Sequence, residues 1–273
     1  MNRSKHAIWM IVVIIGMIAA SLFLFRMTWR SDKTPEKQTS TGALDTSKNP
    51  EQTESLNEEK AARIKEIDAI LSDPYMILVN ADHGVKEDYE PEEIVTIRGM
   101  NMEKVSAEHM NKMLVAAEMA GYDDLNIYSA YRSYAKQSAN FQNKIAQYKA
   151  KGYSESEAET LAAKIVNPPG KSEHQTGMAA DICTEEMINH YGSLPEEFSE
   201  TDTYKWLYEH CREYGFILRY PEDKEDITGI TFEPWHYRYV GKENAEIIMS
   251  QKICLEEYIE NLEKEKAELE KGE

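Results

Sequence analysis

The sequence predicts an α+β domain held behind an N-terminal transmembrane helix. Three observations lead there: one long uncharged run near the N-terminus, a polar stretch after it with almost no large apolar side chains, and then segments of helical and strand periodicity that mix without a regular βαβ rhythm. At 273 residues, 41% of them hydrophobic, the chain is long enough for one sizeable core and too short for two large ones.

The uncharged run is AIWMIVVIIGMIAASLFLF, Ala7 to Phe25. Its length is close to the roughly 20 residues that span a hydrocarbon core of about 30 Å as a helix. Arg3 and Lys5 ahead of it and Ala19-Ala20-Ser21 within it would also suit a cleaved signal peptide, but the run is long and continues to Phe25, which favours an uncleaved anchor over residues 1–30. Basic residues flank both ends, so the positive-inside rule does not choose an orientation. The short N-terminal lead makes an inside N-terminus and an outside body the simpler arrangement.

Residues 31–56 are rich in Ser, Thr, Pro, Glu and Lys, cannot bury enough surface to offset the entropy of ordering, and read as a flexible tether. Folded structure is expected over 57–273. Behind an Asn57 cap, Ala61, Ile64, Ile67, Ala69 and Leu71 lie close to helical spacing, and YMILVN after Pro74 reads as a strand. Met110, Met113, Leu114, Ala117 and Ala120 make the apolar stripe of a helix from Ser106, ended by Gly121. LNIYSAYR from Leu125 reads as a strand and Tyr134 to Lys149 as a helix. A capping box at Ser154 opens another helix, which Pro168, Pro169 and Gly170 stop from continuing past about Val166. Later come a helix over Thr203 to Tyr214, a strand from Phe216, a turn at Gly229, a strand around EPWHYRYVG, and an amphipathic segment from about Lys242 to a highly charged tail.

Charge excludes one class of partner. With 49 Asp and Glu against 31 Lys and Arg, the net charge is −18, and a nucleic-acid phosphate backbone needs a basic face that this balance does not supply. Cys183, Cys211 and Cys254 are too few for a disulfide framework and read as small buried apolar residues.

Of the seven histidines, His6 precedes the apolar run, and His83, His109, His190 and His210 lie among ordinary helical or loop residues. His174 and His236 differ in their company. In SEHQTGMAADI, Gly177 permits a sharp turn, so that His174 in a loop and Asp181 on the strand behind it can converge. In EPWHYRY, His236 follows Glu233 by three residues. Two imidazoles and a carboxylate make a three-ligand set of the kind catalytic zinc uses, with a fourth position left for water, and a further glutamate can take the proton. Residues three apart on a regular strand face opposite ways, so Glu233 and His236 share a site only if Pro234 bends the chain or delays the strand start. Cys183, two residues past Asp181, reads either as an alternative soft ligand or as a buried bystander, with the second favoured.

Three separated motifs in this order, SAYRSYAKQ (Ser129 to Gln137), SEHQTGMAADI (Ser172 to Ile182) and EPWHYRYVG (Glu233 to Gly241), resemble the zinc-dependent D-alanyl-D-alanine carboxypeptidases of the VanY type, in the DD-peptidase group related to the Hedgehog fold. The resemblance covers about Leu125 to Gly241. It implies a small, mainly antiparallel sheet flanked by helices. It also implies zinc held by His174, Asp181 and His236, Glu233 as general base, and Arg132 holding the substrate's terminal carboxylate or its developing oxyanion. Gln137 and Ser172 fall where the family contacts the terminal D-alanine, while Trp235 and Tyr237 read as packing around the site.

The activity so implied is removal of the terminal D-alanine from peptidoglycan stem peptides or D-Ala-D-Ala precursors, by a single-pass protein of the bacterial cell membrane whose catalytic domain faces outward. An LD-carboxypeptidase or a D,D-dipeptidase on the same metal site stays open. So does a zinc-containing wall-binding module without turnover, although a binder has no need of Glu233 or Arg132.

Overall fold

A four-stranded antiparallel sheet organises the computed structural model, which describes residues 50–271. The segments read as anchor and most of the tether lie outside those residues, and no helix among the described ones is long and apolar enough to cross a membrane.

Helix α1 spans Pro50–Leu71, starting ahead of the expected Asn57 cap. The strand expected at YMILVN is not formed. Asp73 caps a 3-10 turn over Pro74–Met76 by accepting from Tyr75 N at 2.8 Å, and the chain then runs irregularly to Asn80. The reason is a competing partner: the Arg238 guanidinium donates to the carbonyls of Tyr75 (3.0 Å) and Ile77 (2.9 Å), groups that a strand would have offered to a ladder.

Strands β1 (Ile94–Ile97) and β2 (Met100–Glu103) form a hairpin that the sequence reading did not anticipate. Arg98 and Gly99 both have positive φ, 47° and 81°, the conformation of the tight turns that match strand twist. Glu103 then caps α2 (Lys104–Met119), accepting from Val105 N and Ser106 N. The buried face of α2 includes Met110, Met113, Leu114 and Ala117, as the stripe predicts, whereas Ala120 is exposed beyond the helix end.

Strand β3 is Leu125–Ser129, followed by α3 (Tyr134–Ala150) and α4 (Glu155–Ala163), the latter behind the expected Ser154–Glu157 capping box. Next come a 3-10 turn over Glu173–Thr176, β4 (Ala179–Thr184), α5 (Glu185–Tyr191), α6 (Asp202–His210) and β5 (Phe216–Leu218). After the one-turn α7 (Glu225–Thr228) and β6 (His236–Tyr239), the amphipathic tail divides into α8 (Lys242–Gln251) and α9 (Leu255–Lys271), because Lys252 takes a left-handed conformation at φ 55°.

The sheet order is β3-β4-β6-β5 with every neighbour antiparallel. Its two faces differ in chemistry. Ala180 pairs with Tyr237 and Tyr237 with Leu218, and these join Ile127, Ile182 and Phe216 in the main core with α2 and α6. Asp181 pairs with His236, and Ala179 and Ile217 both pair with Arg238, so the period of two puts Asp181, His236 and Arg238 together on the opposite face. A second cluster joins Ile67 of α1 and Ile217 to Val240, Ile248, Leu255 and Leu262. Arg63 also forks onto both carboxylate oxygens of Glu265, so the first and last described helices pack side by side.

Candidate metal centre and active site

The polar face of the sheet becomes a site because three local devices aim side chains at one point. The first is the turn before β4. Gly177 sits at φ 71°, and a Cβ there would lie 2.8 Å from the backbone nitrogen of Glu103, so only glycine fits. That turn carries His174, whose Nδ1–H donates to the Ala130 carbonyl at 2.7 Å; a carbonyl only accepts, so Nε2 is left with its lone pair.

The second device is the pairing of β4 with β6. It sets Asp181 directly across from His236, with Asp181 Oδ1 2.9 Å from His236 Nδ1 and Asp181 Oδ2 3.3 Å from His174 Nε2. The two imidazoles stand edge to face, 4.9 Å between centroids, and all three residues are buried. One ligand atom from each lies within 4.8 Å of the others. Two nitrogens and a carboxylate oxygen converging in this way fit zinc, whose bonds to such donors are about 2.0–2.2 Å. Burial keeps His174 below its ordinary range, and burial notwithstanding, the neighbouring histidines hold Asp181 well below the carboxylate range, which are the protonation states a metal needs. For His236 burial pushes downward, but Asp181 and Glu173 outweigh it and raise the imidazole to about 9 without metal.

The third device is the bend before β6. Glu233, Pro234 and Trp235 precede the strand, and the His236 amide donates back to the Glu233 carbonyl at 3.1 Å. The opposition expected of a regular strand is thereby avoided. Glu233 Oε2 reaches 3.6 Å from His236 Nδ1, and its side chain keeps 14% exposure, open to the cavity. Burial raises its carboxyl to about 8. A divalent cation beside it would favour the charged form and draw that value back toward neutrality.

Arg132 leaves the end of β3 just past a register shift between Ile127 and Ser129. Its amide donates to the His174 carbonyl at 3.0 Å, a main-chain bond that ties the two motifs together. Its guanidinium donates to Gln137 Oε1 (2.7 Å) and Ser129 Oγ (2.9 Å) and lies 3.8 Å from Asp181 Oδ2. Gln137 is itself buried, and its amide nitrogen donates to the Asn167 carbonyl.

All seven sequence-predicted residues, Arg132, Gln137, Ser172, His174, Asp181, Glu233 and His236, line one cavity of about 200 Å³. Tyr220, Trp235, Ile165, Val166, Asn167 and Leu194 complete its wall. A larger groove, about 590 Å³, runs between α1, α8 and α9, shares no lining residue with this cavity and holds no metal-ligating set among the described residues. His83, His109, His190 and His210 stay outside the cavity. Cys183 lies opposite Asn126, fully buried and outside the ligand group, with burial pushing its thiol up to about 11. All three cysteines are free. Tyr237 packs in the main core on the sheet face opposite the ligands, while Trp235 lines the cavity.

The sequence reading missed what lies behind the ligands. Glu173, Arg219 and Arg238 are fully buried. Glu173 Oε1 accepts from Arg219 Nε (2.7 Å) and Arg238 Nη1 (2.8 Å), and Arg219 forks onto Glu256 of α9 at 2.6 and 2.8 Å. Two carboxylates thus balance two guanidinium groups; removing one partner from such a set typically costs about 3–5 kcal/mol. A signal for it existed: an arginine inside each of the apolar runs FILRY and HYRYV demands a buried counter-charge.

An α+β sheet carrying a His–Asp–His ligand set, with a glutamate and a fixed guanidinium on the open side, defines a zinc-dependent hydrolase. The VanY family profile, described as D-alanyl-D-alanine carboxypeptidase, matches residues 99–242. The chain belongs to that family. It is 36% identical over 244 residues to YodJ of Bacillus subtilis (strain 168), a protein named as a carboxypeptidase, covering 84% of this chain and 85% of that one. Among solved structures it is similar to a zinc complex of a variant of the vancomycin-resistance D,D-pentapeptidase VanY, with a TM-score of 0.59 and 38% identity, covering 68% of this chain and 99% of that one. It is also similar to the LdcB LD-carboxypeptidase, with a TM-score of 0.60 and 37% identity over 69% of this chain and 88% of the other.

Proposed function

We propose that this protein removes the C-terminal D-alanine from peptidoglycan stem peptides or from precursors ending in D-Ala-D-Ala. We further propose that it works on the outer side of the bacterial cell membrane, tethered through residues 7–25 and the polar linker. The observation that carries the reading is the placement of the Arg132 guanidinium beside the ligand set, in the same cavity as Glu233.

Zinc held by His174, Asp181 and His236 would supply a Lewis acid for the scissile carbonyl and would lower the pKa of a water to about 7. The chain's own residues account for the rest. Glu233, open to the cavity, takes a proton from the attacking water and delivers it to the amine released as the C–N bond breaks. Arg132 binds the substrate's terminal carboxylate, or its oxyanion, through a planar fork whose orientation Gln137 and Ser129 fix. Ser172 lies on the same wall and completes the polar contacts to the terminal residue. A net-negative body gains no general attraction to an anionic wall, so recognition is local to this cavity.

A second reading, cleavage of a tetrapeptide stem by LD-carboxypeptidase action, is favoured by the likeness to LdcB. D-Alanine release by the full chain from pentapeptide stems ending in D-Ala-D-Ala and from tetrapeptide stems separates the two. Release from the pentapeptide alone is expected; equal inactivity on both would remove the reading.

A further inference from the structure

We infer that Glu173 is a positioning residue for the metal centre: its free oxygen receives the Nε2 proton of His236, fixing the tautomer in which Nδ1 faces the metal.

The two histidines present different nitrogens. His174 gives its Nδ1 proton to Ala130 and offers Nε2, whereas His236 turns Nδ1 toward Asp181 and sends Nε2 to the back of the site. An imidazole that offers Nδ1 to a metal must keep its proton on Nε2, and a buried N–H needs an acceptor. Two buried polar atoms without a hydrogen-bond partner face each other there: His236 Nε2 and Glu173 Oε2, 3.5 Å apart. The donor lacks an acceptor and the acceptor lacks a donor.

Glu173 is held for this task. Its other oxygen already accepts from Arg219 and Arg238, which anchor the carboxylate and keep it charged. Tyr220 lies across the His236 ring, 4.9 Å between centroids, and His174 meets it edge on, so the ring has few alternative orientations. Carboxylates behind metal-bound histidines raise ligand basicity and fix orientation, and losing one typically weakens metal binding about 10–100-fold.

The inference rests on the zinc site and is independent of the substrate. Zinc affinity measured by chelator competition on the purified full chain tests it. Glu173→Gln is expected to weaken zinc binding about 10–100-fold. Glu256→Gln, which disturbs the same buried ion network without facing His236, is expected to lower the melting temperature and leave zinc affinity within twofold of wild type. Long-range 15N–1H spectra of the zinc-loaded wild type are expected to show the His236 proton on Nε2. Undiminished affinity in a folded Glu173→Gln protein overturns the inference, as does a His236 proton on Nδ1. Should Glu173→Gln fail to fold, the wild-type spectrum alone decides. Failure of the wild type to bind zinc overturns the metal site as well, which distinguishes the two failures.

Discussion

Gln137 grips Arg132 from below: its side-chain oxygen accepts from Nη1 at 2.7 Å while its nitrogen donates to the Asn167 carbonyl. Both ends of the amide are occupied, so Gln137 acts on a substrate chiefly through the guanidinium it orients. Gln137→Ala is therefore expected to lower kcat/KM about 10–100-fold, the worth of one hydrogen bond to a charged group. Steady-state kinetics should place most of the loss in KM, and an unchanged KM would separate Gln137 from anion binding.

Arg132→Lys tests the fork itself. A lysine keeps the charge but lacks the planar fork that reaches Gln137 and Ser129 from separate nitrogens and leaves a flat face for a carboxylate. Its activity is expected to be closer to that of Arg132→Ala than to wild type. Peptides amidated at the C-terminus should be poor substrates for wild type and should discriminate little between the variants.

Glu233→Gln is expected to cut turnover by about 10²–10⁴, the usual worth of a general acid–base group. Zinc content measured by mass spectrometry should stay at the wild-type level, because the ligand set remains His174, Asp181 and His236. A variant retaining wild-type turnover would remove Glu233 from proton transfer.

Gly177→Ala should destabilise the fold. The new Cβ meets the Glu103 amide at 2.8 Å in a conformation, φ 71°, that side chains resist. The expected cost is about 1–3 kcal/mol, readable by chemical denaturation of the metal-free protein. His174 lies three residues away on the same turn, so zinc affinity should fall in parallel.

Acid should unfold the metal-free protein through its buried carboxylates. Burial pushes Glu173 and Glu256 upward, but the facing arginines outweigh it and hold both below the ordinary glutamate value of 4.5. A depressed folded value means that the unfolded chain binds the protons first. The stabilisation is present above pH 4.5 and is lost as the pH drops below it, at up to about 1.4 kcal/mol per group per pH unit. Melting temperatures should decline as the pH falls below 4.5, less steeply in Glu256→Gln.

The site was legible in the sequence because its residues sit in short motifs whose turn chemistry is local. Gly177 announces the sharp bend that aims His174, and Pro234 announces the bend that frees Glu233 from the strand. Long periodic segments such as α2 and α3 were legible for the same reason. Where tertiary partners overrode local preference, the reading failed. YMILVN has strand composition, yet its carbonyls serve Arg238. The β1–β2 hairpin turns on Arg-Gly instead of Asn-Gly, and its strands are only four residues long and half exposed. Glu173 was hidden because a charged residue beside a histidine looks solvated until two buried arginines are found facing it.

The hydrogen bond from the Arg132 amide to the His174 carbonyl has a consequence for how specificity can drift. Main-chain atoms, shared by every amino acid, set the spacing between the cation that would seize a chain end and the metal that would cut behind it. Point mutation has little purchase on such a ruler. New bond preferences in descendants of this protein would arise instead from the apolar part of the cavity wall, Ile165, Val166 and Leu194, whose side chains are not part of that main-chain bond.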